Sequence, residues 1–337
     1  MEIRKVQETG GGTLLVSLPK SWASRHGISK GSFIAIEERR DGCLLLDPHP
    51  KEERGPQVVV IRYPLEDVQY IEWGIIGAYL LGYDYIQVEA ERRIDSSDRA
   101  RIKDAIQNLI GLEILEETAG MIKAQCLIDA SLVNPHSLIE REKVIALSML
   151  RDIKTILLEA DQDLARTVIR RDDEVDRIYF LLVRLLRSAV QRPKIAESFE
   201  ITPLDCLDYR LVAALLESIA DHITGMAQEL LNVSGLDLDG KIRATLDQVF
   251  EVLEGMLERA IEGFLAQELK VLREVREGYK RLTRLLNILT RVMTESGLLR
   301  NSALTSIFSY MREIGRDSID IADLIGPDQI LRVQEIL

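Results

Sequence analysis

Two pairs of carboxylates at helical spacing are the side chains of this sequence that are best placed for chemistry. Asp172 and Asp176 lie four residues apart in the segment DDEVD, and Glu217 and Asp221 repeat the spacing in LESIADHI. Residues four apart share one face of a helix, where two like charges cost about 0.2–0.5 kcal/mol. Either pair alone is typical of a solvated helix face. Two such pairs on neighbouring helices of a bundle can instead converge on a divalent or trivalent cation.

The residue types of these pairs also narrow the choice of cation. Carboxylate oxygens favour hard ions, so we expect magnesium, manganese or ferric iron, and His222, directly after Asp221, would also admit zinc or ferrous iron. Asp173 points about 100° away from Asp172 around the helix, so we expect a solvated neighbour or an outer ligand there. The sequence therefore predicts a metal site made by Asp172, Asp176, Glu217 and Asp221.

Long helices must position these carboxylates. Beyond Asn134-Pro135 apolar residues recur at helical spacing almost to the end of the chain, and Ser137 with Glu140 has the spacing of a capping box. The pattern predicts six helices in two sets of three, as if one three-helix unit had been duplicated. Their predicted ranges are 137–160, 161–191, 204–232, 238–265, 267–294 and 301–325.

The second set of three helices carries a weaker copy of the acidic pattern. In its middle helix Glu274 is followed four residues later by Gly278, so one carboxylate of the expected pair is absent. Its last helix offers two alternative registers, Glu313 with Asp317 or Asp320 with Asp323. We therefore do not expect a second metal cluster of the same quality.

The segment before the helices has a mixed pattern. After the proline-rich linker Asp47–Pro56, residues 56–133 alternate between buried-type strands and two helices, which indicates a small α+β domain. Ser96 and Ser97 are placed to cap its second helix. It contains no glycine-rich phosphate loop and no cluster of His and Cys, so a scaffold and a small-ligand sensor both remain open.

Residues 1–50 predict two short hairpins around one short helix. Strands at 3–8 and 13–18 flank a triple-glycine turn, a helix follows Pro19 and ends before Gly27, and strands at 33–37 and 43–46 flank Asp41-Gly42. Fifty residues of this kind bury too little apolar surface to be stable alone. We expect this segment to dimerise with its own copy.

Composition and charge limit the functions further. The net charge is −12, yet residues 1–30 contain five basic and two acidic side chains, so a polyanionic partner would meet this end. No apolar run reaches the ~18–20 residues of a membrane span, and the first residues lack the apolar core of a signal peptide. The three cysteines are far apart, which excludes a disulfide framework and a cysteine zinc site. We expect a cytoplasmic protein.

The helical part resembles the PhoU family of phosphate-uptake regulators. The resemblance rests on the D-D-x-V-D helix, the L-E-S-I-A-D-H helix and the two-fold order of three-helix units over about 137–325. It implies two three-helix bundles whose E/D-x-x-x-D motifs bind metal ions in some members. With the segments above, it implies a mainly α, multidomain protein: a β domain at 1–50, an α+β domain at 56–133 and a pair of three-helix bundles at 137–325.

The first residues resemble the AbrB/SpoVT family of transcription factors. The pattern is T-G-x-G-T-L-x-V-S-L-P-K-x-W-A followed by G-I-x-K-G-x-x-I. The resemblance implies a swapped-hairpin dimer that binds double-stranded DNA with the basic residues of its face. Our candidates are Arg4, Lys5, Lys20 and Arg25, of which only Lys20 lies inside the L-P-K pattern; the others follow from charge and position. Ordinary surface cations on a dimerisation module are the alternative.

Two functions follow from these resemblances. The first is a homodimeric transcriptional regulator of phosphate uptake that binds DNA and senses phosphate status through its helical domain. The alternative is a cytoplasmic adaptor that does not bind DNA and regulates a phosphate ABC transporter. A di-metal carboxylate enzyme is not expected, because the sequence has no Glu-x-x-His helix pairs and its four histidines are scattered.

Overall fold

The computed structural model describes residues 2–38, 42–48, 55–233, 238–298 and 302–326. Over these ranges the chain is mainly helical. It divides into two compact units, Met1–Gln57 and Val58–Leu337. The predicted turn residue Asp41, most of the proline-rich linker (residues 49–54) and residues 234–237 of the turn before the fourth predicted helix lie outside the described residues.

The first unit contains two short antiparallel hairpins and one helix. Strands β1 (Gln7–Glu8) and β2 (Leu14–Leu15) pair, as do β3 (Ala35–Glu38) and β4 (Leu44–Asp47), with α1 (Lys20–Arg25) between the hairpins. In the first turn Thr9 N–H donates to the Thr13 carbonyl at 3.0 Å, and Gly12 has φ +80°, a conformation that favours glycine. The hairpins are where the sequence predicts them, but β1 and β2 are shorter than the predicted strands.

No described side chain of residues 2–48 is buried. Large apolar side chains are exposed instead, among them Phe33 at 80%, Leu14 at 68% and Leu44 at 65%. Apolar surface of this kind costs free energy in water unless something covers it. A single copy of this unit therefore has no hydrophobic core in its described part, as expected for so short a segment.

The second unit begins with a four-stranded sheet. Strands β5 (Val58–Tyr63), β6 (Tyr85–Ala90), β7 (Leu112–Glu117) and β8 (Met121–Cys126) lie in the order β5-β6-β8-β7. β5 and β6 are parallel and the other neighbours antiparallel. Helices α2 (Val68–Leu80) and α3 (Ser96–Gln107) cover the face that carries Ile86 and Val88. The predicted serine caps are wrong, because Asp95 occupies the N-cap of α3 and makes no side-chain capping bond.

Six long helices and one short helix follow in the described residues up to 326. They are α4 (Pro135–Glu159), α5 (Gln162–Gln191), the short α6 (Pro193–Ser198), α7 (Pro203–Leu231), α8 (Gly240–Ala266), α9 (Lys270–Glu295) and α10 (Ser302–Asp323). We call α4, α5 and α7 the first triplet and α8, α9 and α10 the second triplet. Helix α7 packs on α10 and α4 packs on α8, so the two triplets share one continuous apolar core.

The start of α4 differs from the prediction. The side chain of Asn134 accepts the main-chain N–H of His136 at 2.8 Å, and Pro135 is the first helical residue. Proline suits that position because its missing N–H would have no helical partner there. The helix therefore begins before the predicted capping box at Ser137. A capping box is present at the start of α7, between Thr202 and Asp205.

Arg184 fixes the sheet domain against the first triplet. This α5 side chain is buried and donates to the main-chain carbonyls of Tyr79 at 2.6 Å and Tyr83 at 3.0 Å. Its guanidinium also lies 4.9 Å from the centre of the Tyr79 ring. Carbonyls at the end of a helix need such partners, so Arg184 caps the end of α2. It thereby sets where the acidic part of α5 lies.

Candidate metal-binding cluster

The four predicted carboxylates lie on two helices that pack side by side. Asp172 and Asp176 are on α5, Glu217 and Asp221 are on α7, and α5 and α7 form an extensive helix–helix contact. Asp172, Asp176 and Glu217 are partly buried, whereas Asp221 is exposed. The structure thus brings all four predicted residues to one region of the first triplet.

The pKa values show that these side chains affect one another. Burial, followed by the charges of Asp176 and Asp221, raises the pKa of Asp172 to about 6. Burial also raises the pKa of Glu217 to about 7, with added repulsion from Asp221, Asp176 and Asp172. The pKa of Asp176 is raised by burial and then by Asp221. The four groups therefore form one electrostatic cluster, which we call the acidic cluster.

Two neighbouring groups partly offset this repulsion. The buried Thr224 hydroxyl makes no hydrogen bond of normal length, yet it lies close enough to Asp172 to lower the pKa of that carboxyl. The Arg210 guanidinium lowers the pKa of Glu217. Arg210 is itself held by Tyr179, whose hydroxyl accepts from it at 2.5 Å. The pKa values of Asp172 and Glu217 nevertheless remain raised, so Thr224 and Arg210 offset only part of the repulsion.

His222 does not join the acidic cluster. Its Nε2 lies 3.5 Å from Oδ2 of Asp317 on α10 and 3.4 Å from Oγ of Ser218. Ser218 also donates to Asp317 at 3.1 Å. One ring nitrogen faces both partners, so these residues form a triangle and not the relay of a serine hydrolase, which uses both ring nitrogens. The structure thus gives His222 a role in joining α7 to α10.

The donor set fits a hard cation by its chemistry, since it consists of carboxylate oxygens beside a hydroxyl. Among the residues described, no three His, Cys, Asp or Glu side chains converge closely enough to hold a metal ion in their present positions. Binding would require these side chains to turn toward one another. The structure therefore shows four neighbouring carboxylates but no formed metal site among the described residues.

Glu142 is a residue of this region that the sequence interpretation missed. It lies on α4, is 0% exposed, and neither of its carboxyl oxygens has a hydrogen-bond partner in the described part of the chain. Burial, followed by repulsion from Glu217, raises the pKa of Glu142 well above its usual value. A clue was present in the sequence, because Glu142 falls between the core residues Ile139 and Ala146 on the apolar face of α4.

The second triplet treats its acids differently. Arg316 pairs with Glu313 at 2.6 Å and Arg276 pairs with Asp323 at 2.9 Å. Asp317 faces α7 through Ser218, as described above, and Glu274 is exposed. At Gly278 an added Cβ would lie 2.7 Å from Cγ of the buried Met256. The weaker second site stays a prediction.

A pocket of about 310 Å³ lies beside the acidic cluster, between the helices of the sheet domain and α5. Its polar lining includes Glu72, Arg101, Asp104, Asp173, Asp176 and Arg177. Glu72 and Arg101 pair across it at 2.7 Å. Asp173 is exposed and lines the pocket together with Asp176.

The predicted DNA-binding residues are all exposed in the first unit. Lys20 begins α1 and Arg25 ends it, while Arg4 and Lys5 precede β1. Arg4 forms an ion pair with Glu2, which reduces its availability to another anion. Lys20 and Arg25 are the two basic side chains of α1.

Comparison with known proteins identifies the class of the helical part. Residues 139–230 match the family model described as PhoU domain. PhoU from Pseudomonas aeruginosa is 18% identical over 58% of this chain and 95% of its own, with a TM-score of 0.50. The phosphate transport system regulatory protein PhoU from Streptococcus pneumoniae is 12% identical over 57% and 91%, with a TM-score of 0.48. A search of curated proteins gave no match.

The match to the PhoU domain spans most of the first triplet, and the acidic cluster lies within it. The fold shared with the Pseudomonas protein covers 58% of the chain, which is more than residues 139–230 of the family match. In the described ranges no helix has the length and apolar character to cross a membrane.

Proposed function

We propose that this protein regulates phosphate uptake, with its PhoU domain as the sensory part. The observation that carries the proposal is the PhoU-domain match over residues 139–230, because the acidic cluster lies within that range. The helical domain would respond to phosphate status, directly or through a partner. Coupling between two sites typically changes affinity by about 5–150-fold, which sets the size of the regulatory effect to look for.

The proposal includes a bound cation at the acidic cluster. Four mutually repelling carboxylates must protonate, splay into water or bind a cation, and a divalent or trivalent ion offsets most of their charge. Iron, manganese and magnesium suit the oxygen ligands; zinc fits less well now that His222 faces Asp317. Asp172, Asp176, Glu217 and Asp221 would hold the ion and supply its negative charge.

DNA binding by the first unit is the second part of the proposal. The absence of buried side chains among its described residues, together with exposed Phe33 and Leu14, supports pairing with a second copy. In such a dimer Lys20 and Arg25 of both chains would contact the phosphates of double-stranded DNA. The net charge of −12 opposes non-specific binding, so we expect measurable affinity mainly at low salt.

Salt-dependent DNA binding tests this part. The full chain is titrated against fragments of its own promoter region at several salt concentrations, with fluorescence anisotropy as the readout. We expect Lys20→Ala/Arg25→Ala to weaken binding and to reduce the salt slope by about two to four units, since each phosphate contact contributes about 0.9. Lys280→Ala/Arg291→Ala removes the same charge from exposed positions of α9 and should leave the slope unchanged.

An adaptor that regulates a phosphate ABC transporter without binding DNA is the second candidate. The ion pair of Arg4 with Glu2 favours this adaptor function, because one of the four candidate DNA-binding cations already contacts a carboxylate. In that case the first unit only dimerises. If the intact protein does not bind double-stranded DNA even at low salt, the adaptor function is the correct one.

A further inference from the structure

Glu142 has no partner that explains its burial. It is fully enclosed in the first triplet, and both carboxyl oxygens lack hydrogen bonds within the described residues. A buried polar group without a partner costs about 1–3 kcal/mol, and a charged one more. The neighbouring Lys143 does not help, because it pairs with Glu140 at 2.7 Å and with Glu262 of α8 at 3.3 Å.

The position of Glu142 along the bundle places it at the level of the acidic cluster. Helices α4 and α5 are joined by a short turn at Ala160 and Asp161. Glu142 lies about five helical turns before this turn and Asp176 about four turns after it. Helix α7 packs on both α4 and α5, and its Glu217 is the charged group that acts on Glu142. Glu142 thus lies at the buried end of the range of exposure in this region, whereas Asp221 is exposed.

We propose that Glu142 is an inner ligand of the cation site. The site would then draw carboxylates from three helices: Glu142 from α4, Asp172 and Asp176 from α5, and Glu217 and Asp221 from α7. This inference rests on the proposed cation binding and adds a residue outside both paired motifs. A cation gives the two orphaned oxygens of Glu142 a partner, which no described protein group does.

A ligand and a merely protonated core acid respond differently to substitution. Glu142→Gln keeps the shape and removes the charge, so it relieves repulsion in the metal-free protein in either case. If Glu142 is a ligand, the variant also loses affinity for the ion and loses stabilisation by it. If Glu142 is only a neutral acid in the core, affinity for the ion stays as it was.

The experiment uses the full chain stripped of metal and titrated with manganese(II) or iron(II) alone. Calorimetry gives affinity and stoichiometry, and thermal unfolding with and without the ion gives the stabilisation. We expect Glu142→Gln to bind about 10- to 100-fold more weakly than the unchanged protein, the range typical for groups that support a bound metal. The control Glu159→Gln removes an exposed carboxylate of the same helix and should bind normally.

The outcomes separate the two proposals. If the unchanged protein binds neither ion, the cation site and its inner ligand are both wrong. If it binds and Glu142→Gln binds equally well, the cation site stands and the role of Glu142 in it is wrong. Should Glu142→Gln fold poorly, Glu142→Met, which suits an apolar core, takes its place. Normal ion affinity in Glu142→Met would likewise overturn the proposal.

Discussion

The first triplet gathers four carboxylates that repel one another, whereas the second triplet pairs Glu313 and Asp323 with arginines and holds Asp317 against α7. Asp172 and Glu217 of the first have pKa values raised by burial and by neighbouring carboxylates. Glu313 and Asp323 of the second instead lie beside guanidinium groups. Both triplets have long helices and contribute to one apolar core. The same architecture therefore does not require the acidic cluster.

This difference shows which features serve the fold and which need another explanation. The second triplet is held together by close contacts at glycines such as Gly263, Gly278 and Gly315, where an added Cβ would lie 2.7 Å from a neighbouring side chain. Such contacts stabilise helix packing without charge. The ionised acids of the first triplet repel one another and oppose folding, so helix packing alone does not account for them. The family match also covers the first triplet and ends at residue 230.

The largest effect is expected from transferring the acidic motif to the second triplet. Gly278→Asp restores the spacing with Glu274, but its Cβ meets Cγ of Met256 and its charge enters a partly buried site. We expect a loss of about 3 kcal/mol or more in the free energy of unfolding, measured in urea, and no gain in cation binding. Asn287→Asp adds the same charge at an exposed position of α9 and should cost far less.

A stable Gly278→Asp variant that binds an additional ion would contradict the comparison. It would mean that the second triplet is a latent copy of the first and that glycine packing is not what separates them. Gly278→Ala distinguishes the two contributions, because it introduces the steric clash without the charge.

A smaller effect is expected in the pH dependence of the metal-free protein. The folded pKa values of Asp172, about 6, and Glu217, about 7, exceed their ordinary values of 3.8 and 4.5. Between about pH 4 and pH 7 the folded state therefore holds more protons than the unfolded state, and stability falls as pH rises. After allowance for solvent screening we expect a decrease of about 2–3 kcal/mol across this window.

The Asp172→Asn/Glu217→Gln double variant should flatten this decrease, as measured by urea unfolding at several pH values. Glu251→Gln/Glu274→Gln is the matched variant in the second triplet, where both carboxylates are exposed, and should leave the profile unchanged. If the two double variants show the same dependence of stability on pH, the inferred repulsion within the acidic cluster is absent.

Most of the helical fold could be predicted from the sequence, because apolar periodicity fixes both the extent of a helix and its buried face. The predicted range 161–191 corresponds to α5 at Gln162–Gln191, for example. The caps were less predictable: Ser137 has the right type for a cap, but Pro135 starts the helix earlier. Local side-chain preferences compete over two or three residues, whereas periodicity sums over many.

Of the candidate site, only the acids of the two paired motifs could be predicted from the sequence. The spacing of Asp172 and Asp176 reveals a shared face, and packing of α5 on α7 was a reasonable inference from the family resemblance. Glu142 was not recognised, since a single acid on an apolar face has no spacing partner to mark it. The contact of the His222 side chain with Asp317 could not be predicted either, because Asp317 is almost a hundred residues away along the chain.

The smallest effect is expected from unpairing the acids of the second triplet. Arg276→Gln/Arg316→Gln leaves Asp323 and Glu313 without their guanidinium partners, but these carboxylates are 42% and 37% exposed, so water replaces the lost contacts. We expect a change below about 1 kcal/mol in the free energy of unfolding, because exposed ion pairs contribute little. The variant should bind manganese(II) with the stoichiometry of the unchanged protein in calorimetry, since its freed acids remain hydrated and lie almost three turns apart on α10. An extra equivalent of bound ion would reverse this conclusion: arginine pairing, and not burial of the acids, would then be what distinguishes the second triplet from the first.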